Sequence, residues 1–304
     1  MVPILGTIAS SFDNTVAARA LFAGGDPGQV NVIDYHEIAT TGTAVDFGDL
    51  TIGSQSKGAC ASSTRGVFLG GVGSPGYLNV IDYVTILTTG NATDFGDLTV
   101  ERYQNAGLSS ATRGVCVGGY NAVSTYVNVI DYITIATTGN ATDFGDTSHT
   151  WASSAAVAST TRGVYAGDQS SSTDIEYLTI ASTGNGTDFG DLNQGVYRPA
   201  GASNDTRGIF MGGGNAGYRD NIQYITIAST GNATDFGDLA TARNGCGGAA
   251  SSTRVLCAGG IQSSGVIADT EYIEIATTGN STNFGDLTTN REILPGCSNA
   301  HGGL

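Results

Sequence analysis

The chain has few of the residues on which several common functions depend. Basic residues number 12 against 27 acidic ones, which gives a net charge of −15, and Lys57 is the only lysine. A protein of this charge repels a phosphate backbone, so nucleic-acid binding is not expected. No apolar run reaches the ~18 residues that a membrane-spanning helix needs, so membrane insertion is not expected either.

Residues that carry catalysis or bind metals are also scarce. The histidines His36, His149 and His301 stand at unrelated places in the sequence pattern, and His36 takes a position that holds Val84 or Ile133 elsewhere. The five cysteines lack the paired spacing of metal sites, and an odd number does not suggest a disulfide framework. Without convergent acids, bases or metal ligands, the sequence predicts a protein that is not an enzyme.

Glycine, by contrast, is abundant, with 46 residues, and much of it belongs to a repeat. The segment Asp94–Asp97 reads Asp-Phe-Gly-Asp, and the pattern occurs six times with one Asp-to-Asn change. Its phenylalanines are Phe47, Phe95, Phe144, Phe189, Phe236 and Phe284. Their steps of 48, 49, 45, 47 and 48 residues are typical of propellers or solenoids.

Within the repeat, two intervals are fixed and one varies. A tyrosine always lies twelve residues before the phenylalanine, as Tyr83 lies before Phe95, and an arginine lies eighteen residues after each of the first five, as Arg113 lies after Phe95. From arginine to the next tyrosine the spacing is 16, 18, 19, 15, 17 or 18 residues. Fixed intervals indicate strands and turns, whereas the elastic interval indicates a loop that accepts insertions.

Strand signals are clear within one repeat. Gly66–Leu69 is a short apolar run stopped by Gly70 and Gly71, and Asn79–Leu87 carries β-branched and aromatic residues on both faces. Strands of this kind belong in sheets covered on both sides, and no helical period occurs. We predict an all-β protein, a six-bladed β-propeller with about four antiparallel strands in each ~48-residue blade. A β-solenoid is the alternative, although its coils usually have only about 20 to 30 residues.

Either end of the chain offers a strand that could close the ring. Gly296–Ala300 and Gly6–Ser11 both resemble the segment that follows each phenylalanine. If the C-terminal segment completes the first blade, residues 1–12 form a free arm; otherwise they supply the ring-closing strand. We favour the first arrangement and predict residues 13–304 as a single propeller domain.

The repeat resembles the kelch family, whose blades carry a double glycine followed by a tyrosine. In one repeat the match consists of Gly70-Gly71, Tyr83 and Arg102. Other double glycines are Gly24-Gly25, Gly118-Gly119, Gly212-Gly213 and Gly259-Gly260, while the fourth repeat has Gly167-Asp168. Phenylalanine replaces the kelch tryptophan, and Trp151 is the only tryptophan. The resemblance covers nearly the whole chain and implies a β-propeller without indicating a ligand.

Two segments also resemble proteins of tailed-phage particles. Residues Pro3–Ser11 look like the start of many tailed-phage virion proteins, and the repeats around Asn91–Leu98 resemble kelch-like proteins of marine phages. The resemblance implies a virion protein on the exterior of the particle or in its tail, with other virion proteins as partners. We expect it to dock on a host-surface glycan or protein. A purely structural decoration or adaptor subunit is the alternative, and a glycan-active enzyme is less favoured.

The predicted binding site lies in the loops after the double glycines. A constant scaffold with variable loops is how recognition surfaces are built. Tyrosines in such loops offer a flat apolar face and a hydroxyl to a sugar or a protein. The predicted ligand-binding residues are Tyr77, Tyr120, Tyr126, Tyr218 and Arg219.

The acidic turns allow two interpretations. Asp94, Asp97 and Asn91 offer hard oxygen ligands close together in sequence, which would suit calcium. Asn, Asp and Gly also form turns by bonding their own backbone, and we favour that interpretation, for the Asn-x-Thr sequons as well. We expect no other cofactor.

A structural role is expected for the arginine at the fixed position. Arg65 and its equivalents would bridge neighbouring blades through carboxylates or carbonyls. The expected partners form one column of the repeat: Asp34, Asp82, Asp131, Glu176, Gln223 and Glu271.

Overall fold

The computed structural model describes residues 17–300 except residues 75, 122 and 124, and its regular elements within that part of the chain are all β-strands. In chain order the strands are β1 (Arg19–Ala23), β2 (Val32–Glu37), β3 (Val45–Asp49), β4 (Ser54–Gln55), β5 (Gly58–Ala61), β6 (Arg65–Leu69), β7 (Val72–Gly73), β8 (Val80–Thr85), β9 (Thr93–Asp97), β10 (Arg102–Tyr103), β11 (Ala106–Ser109), β12 (Arg113–Val117), β13 (Tyr120–Asn121), β14 (Val129–Thr134), β15 (Thr142–Asp146), β16 (Ala155–Ala158), β17 (Arg162–Ala166), β18 (Asp174–Thr179), β19 (Thr187–Asp191), β20 (Ala200–Ser203), β21 (Arg207–Met211), β22 (Asn221–Thr226), β23 (Thr234–Asp238), β24 (Gly247–Ala250), β25 (Arg254–Ala258), β26 (Ile261–Gln262), β27 (Gly265–Val266), β28 (Asp269–Glu274), β29 (Thr282–Asp286) and β30 (Gly296–Ser298).

The larger strands form six four-stranded antiparallel sheets, which confirms the six-bladed β-propeller. From the inner strand outwards the sheets are β30-β1-β2-β3, β5-β6-β8-β9, β11-β12-β14-β15, β16-β17-β18-β19, β20-β21-β22-β23 and β24-β25-β28-β29, which we number as blades 1 to 6. The inner strands contact one another in the closed cycle β5, β11, β16, β20, β24, β30 and back to β5. A solenoid would leave this series open at two ends, so the alternative is excluded.

Blade 1 is built from both ends of the described chain. Strand β30 pairs antiparallel with β1, with Leu21 opposite Cys297 and Phe22 opposite Gly296. Ser298 also donates through its hydroxyl to the Ala250 carbonyl of blade 6. The C-terminal segment therefore holds the inner position of the first blade. Residues 1–12, the other segment considered for that position, lie outside the described residues.

Crowding at the axis accounts for the small residues of the inner strands. A Cβ added to Gly107 would lie 2.2 Å from the carbonyl oxygen of Ala59, and one added to Gly248 would lie 2.3 Å from that of Gly201. Adjacent inner strands are also tied by side chains, since Ser109 Oγ donates to Ala61 O at 2.8 Å. The backbones approach too closely for larger residues here, which fixes the diameter of the ring.

The Asp-Phe-Gly-Asp segment forms the outer strand of each blade, and the next blade covers its edge. In blade 1 the carbonyl of Phe47 accepts from Gly90 N at 2.8 Å, and the carbonyl of Asp49 accepts from Ala92 N at 2.7 Å. Asn91 Oδ1 completes the contact by accepting from Asp49 N at 3.1 Å. The same side-chain bond is made by Asn140, Asn185, Asn232 and Asn280. These asparagines therefore shield an edge strand across a blade interface, where the sequence had predicted side-chain bonds to the backbone of their own turn.

The repeated arginine bridges blades through a carbonyl, as expected, but the acids of the proposed column are not its partners. Arg65 lies 4.5 Å above the ring of Tyr83 and donates through Nη1 to the Ile135 carbonyl of the next blade at 2.9 Å. The equivalent bonds to carbonyls join Arg19 to Ile86, Arg113 to Ile180, Arg162 to Ile227, Arg207 to Ile275, and Arg254 to Ile38 and the adjacent Ala39. The expected pairing with the acid column was wrong, because Asp82 and Tyr83 are consecutive residues of β8 and lie on opposite faces of the sheet, and the guanidinium of Arg65 lies on the face of the tyrosine.

A second arginine, seven residues after the phenylalanine, partners the acid column in three blades. Arg102 Nη2 donates to Asp131 Oδ2 at 2.8 Å with both side chains fully buried, and Arg291 Nη2 donates to Asp34 Oδ2 at 2.5 Å. Arg243 makes the same bond to Glu271. Buried charges of this kind need partners, and each pair fastens the connection between two blades to the next sheet.

Where the second arginine is missing, another group takes its part. Blade 2 has Ser54 at that position, and Lys57 reaches the Gly70 carbonyl at 2.6 Å instead, near Asp82. Burial lowers the pKa of Lys57 to about 8, while Asp82 opposes that shift. In blade 4 Trp151 replaces the arginine, and Glu176 accepts from the Tyr165 hydroxyl at 2.5 Å. Lys57 and Tyr165 thus stand in for the second arginine beside Asp82 and Glu176.

We expect Gly145→Ala to lower the free energy of unfolding by about 2 kcal/mol or more. Its φ is +146°, and an added Cβ would lie 2.5 Å from the carbonyl oxygen of Gly184 in the next blade. Gly184→Ala is the matched control, since a Cβ there meets no atom within 4 Å. Denaturant unfolding of both variants tests this, and equal stability would show that the blade contact does not require the glycine.

A second prediction concerns acid stability. His36 is buried between Phe22 and Phe284, with Nε2 3.2 Å from Thr270 Oγ1, and burial lowers its pKa from 6.5 to about 4. The unfolded chain therefore binds this proton first, and stability falls as the pH drops from about 6.5 to 4. By pH 4 the wild type should lose roughly 3 kcal/mol more than His36→Val, which carries the residue type of Val84. Parallel pH profiles of the two proteins would contradict this.

Candidate functional site

The variable loops all leave from one face of the propeller. Each inner strand starts at this face, the second strand returns to it, and the elastic loop follows before the third strand descends. The fourth strand returns again, so the connections between blades lie on the same face. We call this the loop face. The opposite face carries the Thr-Gly-Asn turns.

Four tyrosines form a cluster on the loop face between blades 2 and 3. The rings of Tyr77 and Tyr103 stack with centroids 5.0 Å apart and an interplanar angle of 10°. Tyr120 meets both edge-on, at 6.4 and 5.6 Å, and Tyr126 packs on Tyr120 at 4.9 Å. Three of the predicted ligand-binding residues are thus brought together. We call Tyr77, Tyr103, Tyr120 and Tyr126 the tyrosine cluster.

Backbone pairing holds the cluster in place. Strands β10 and β13 put Tyr103 directly opposite Tyr120, and isolated bridges join Tyr120 to Tyr126 and Val72 to Tyr77. Loops tied to strands in this way present their rings with little loss of conformational entropy on binding. Tyr126 is 42 % exposed, and the other three rings are half-buried.

Tyr103 was missed because it lies on a connection between blades and not in an elastic loop. Its position, eight residues after Phe95, varies from repeat to repeat, and that variation was the signal available in the sequence. Burial raises the pKa of Tyr103; Tyr77, Tyr120 and Tyr126 add to the rise, and Arg198 opposes it. A positive charge therefore lies within electrostatic range of the cluster.

Tyr218 and Arg219 do not join the cluster. Tyr218 forms a backbone bridge with Gly214 in the loop of blade 5, and Arg219 Nη2 donates to the Asn215 carbonyl in the same loop at 3.1 Å. Their contacts shape that loop. The predicted site is therefore concentrated at blades 2 and 3 and does not extend evenly around the rim.

Six residues that precede the inner strands surround the axis at the loop face and form what we call the axial mouth: Ser56, Gln104, Ser153, Arg198, Gly245 and Ile293. Each N–H donates to the carbonyl of the mouth residue before it, and Ser56 N closes the circle on Ile293 O at 2.9 Å. The other five bonds measure between 2.5 and 3.0 Å. All six residues have φ between 53° and 65°. The mouth is therefore a closed ring of hydrogen bonds made by residues in the left-handed region.

A small cavity of about 80 Å³ opens at the axial mouth, lined by the six mouth residues and the residues that follow them. Arg198 is the only charged residue of the six. The charge of Arg198 acts on both Tyr103 and Glu292. Burial raises the pKa of Glu292 above its usual value, and Arg198 partly offsets this rise. Arg198 thus lines the opening and interacts electrostatically with both Tyr103 and Glu292.

The described residues contain no cluster of side chains that could bind a metal ion. No group of three or more His, Cys, Asp and Glu side chains lies together among the described residues. Asn91, one of the ligands considered for calcium, already accepts a hydrogen bond from Asp49 N. The five cysteines are buried free thiols. The described residues also contain no helix long and apolar enough to cross a membrane.

A scan against protein-family models and a search of curated proteins return no match to this chain. The geometry of the loop face is therefore the basis for a function.

Proposed function

We propose that this β-propeller is a non-catalytic binding protein whose loop face docks on a host-surface glycan. The tyrosine cluster carries the proposal. It offers stacked and edge-on aromatic faces with four hydroxyls on a surface fixed by backbone pairing. Saccharides bind to such surfaces because their C–H faces pack on aromatic rings while their hydroxyls form hydrogen bonds.

The resemblance to kelch-like proteins of phages supplies the proposed setting. In that setting the protein lies on the exterior of a phage particle or in its tail, beside other virion proteins, and the loop face points towards the host. The opposite turn face, with its six near-identical turns, is then available for attachment.

A purely structural decoration or adaptor subunit is the second candidate. The loop of blade 3 favours it, because Val123, which lies between Tyr120 and Tyr126 in the chain, is 77 % exposed. An apolar side chain at a loop tip suits contact with another protein better than contact with a sugar.

A glycan array with single substitutions distinguishes these functions. We expect Tyr126→Ala and Tyr77→Ala to weaken glycan binding about tenfold each, through loss of ring contact. Tyr126→Phe keeps the ring and should retain most of the affinity. Leu87→Ala removes an exposed apolar side chain elsewhere in blade 2 and serves as the control.

The outcome also decides whether the cluster or the whole rim binds. If Tyr218→Ala weakens binding as much as Tyr126→Ala, the rim acts as a whole and the cluster has no special role. Stoichiometric incorporation into a particle without affinity for any glycan would favour the structural subunit and contradict the proposal.

A further inference from the structure

Arg198 stands apart from the other arginines of the described residues. Each of the other ten donates at least one hydrogen bond through its guanidinium, to a carboxylate or to a carbonyl. Among residues 17–300, Arg198 forms neither a hydrogen bond through its side chain nor an ion pair, and its Nε is buried without a partner. An Nε without a partner also occurs in Arg102, Arg219, Arg243 and Arg291, but those residues donate through Nη. The guanidinium of Arg198 is thus a set of unused donors.

The backbone conformation at the axial mouth is a second reason to consider Arg198 as a ligand-binding residue. A residue with φ near 60° is least strained as glycine, and only Gly245 of the six mouth residues is one. Arg198 has φ 53°, so the chain places a long cation at the opening in spite of the strain. Sites of backbone strain that also hold unpaired donors are candidates for ligand binding.

The size of the cavity indicates which chemical group would enter it. About 80 Å³ accommodates a group of a few heavy atoms and excludes a sugar ring. The six mouth N–H groups already bond their neighbours, and Lys57 in the cavity lining donates to the Gly70 carbonyl. Arg198 is therefore the charged side chain of the lining whose donors are unused. Planar arginine donors match a carboxylate bidentately.

We propose that the axial mouth binds the carboxylate of an acidic saccharide. Arg198 donates hydrogen bonds to this carboxylate, and the Tyr77–Tyr103 pair contacts the sugar ring. This rests on the proposed glycan-binding function and specifies its ligand class. Tyr103 immediately precedes the mouth residue Gln104, so the ring and the carboxylate can occupy neighbouring positions. The net charge of −15 opposes an acidic ligand at long range, but physiological salt screens charges beyond about 8 Å.

Glu292 is the neighbour that would oppose this ligand. It lies within electrostatic range of Arg198, yet no ion pair joins the two. A bound carboxylate would feel its repulsion, so the structure predicts a gain of affinity when this charge is removed.

The test compares glucuronate-containing oligosaccharides with the same oligosaccharides after carboxyl reduction. The wild type should bind the acidic forms at least tenfold more tightly. Arg198→Gln should abolish that preference, while Arg198→Lys, which keeps the charge but not the planar fork, should retain part of it. Tyr103→Ala should weaken both forms equally, and Glu292→Gln should strengthen only the acidic form, by a few fold.

A second measurement reads the site directly. The Nε–H resonance of Arg198 in the labelled protein should shift on titration with glucuronate and stay in place with glucose. Equal binding of acidic and reduced forms, or an unchanged preference in Arg198→Gln, would overturn the carboxylate site. If the carboxylate site were overturned but Tyr126→Ala still weakened oligosaccharide binding, the proposed glycan-binding function would remain supported. Absence of binding to every oligosaccharide would overturn both.

Discussion

Each blade of this protein leaves its outer edge and both sheet faces unprotected until its neighbours pack against it, so the six sheets are stable only as a closed ring. Closure is achieved at three radii. Hydrogen bonds circle the axial mouth, the first arginine series joins each blade to a carbonyl of the next, and the Asn91 type of turn covers the outer strand. At the seam between blades 6 and 1, Ile293 N bonds the Gly245 carbonyl, and Arg254 bonds the Ala39 carbonyl. The turn of blade 1 bonds the outer strand of blade 6. Strand β30 adds the inner strand of blade 1 to these contacts.

This requirement explains which residues repeat and which vary. Gly96, Tyr83 and Arg65 contact the neighbouring blade or hold residues that do, and any change in their spacing would misplace a contact at each of six interfaces. The loops after the double glycines join the connections between blades through short backbone pairings, such as that of Asp26 with Glu292, and the residues between those pairings can differ. The axial mouth combines both kinds of constraint, because its backbone closes the ring while the identity of its side chains varies from blade to blade.

The fixed intervals were enough to predict the propeller, since a constant Tyr-to-Phe spacing with one elastic loop defines a blade. The loop composition also located three of the four clustered tyrosines. Arg198 and the circle of bonds at the mouth could not be predicted, because left-handed backbone at Ser56 or Gln104 has no glycine to mark it. The partners of Asp131 and Asp34 were missed for a related reason: they come from adjacent blades, and the sequence does not show which residue of a connection turns inwards.

Removal of residues 296–304 tests the closed ring most directly. The ring account predicts that the shortened chain loses a large part of its free energy of unfolding, of the order of 5 kcal/mol, or its single cooperative transition. A synthetic peptide of residues 296–304 should restore stability by pairing with β1. An unchanged denaturant midpoint and slope in the shortened chain would show that the blades are stable without closure, and would contradict the account.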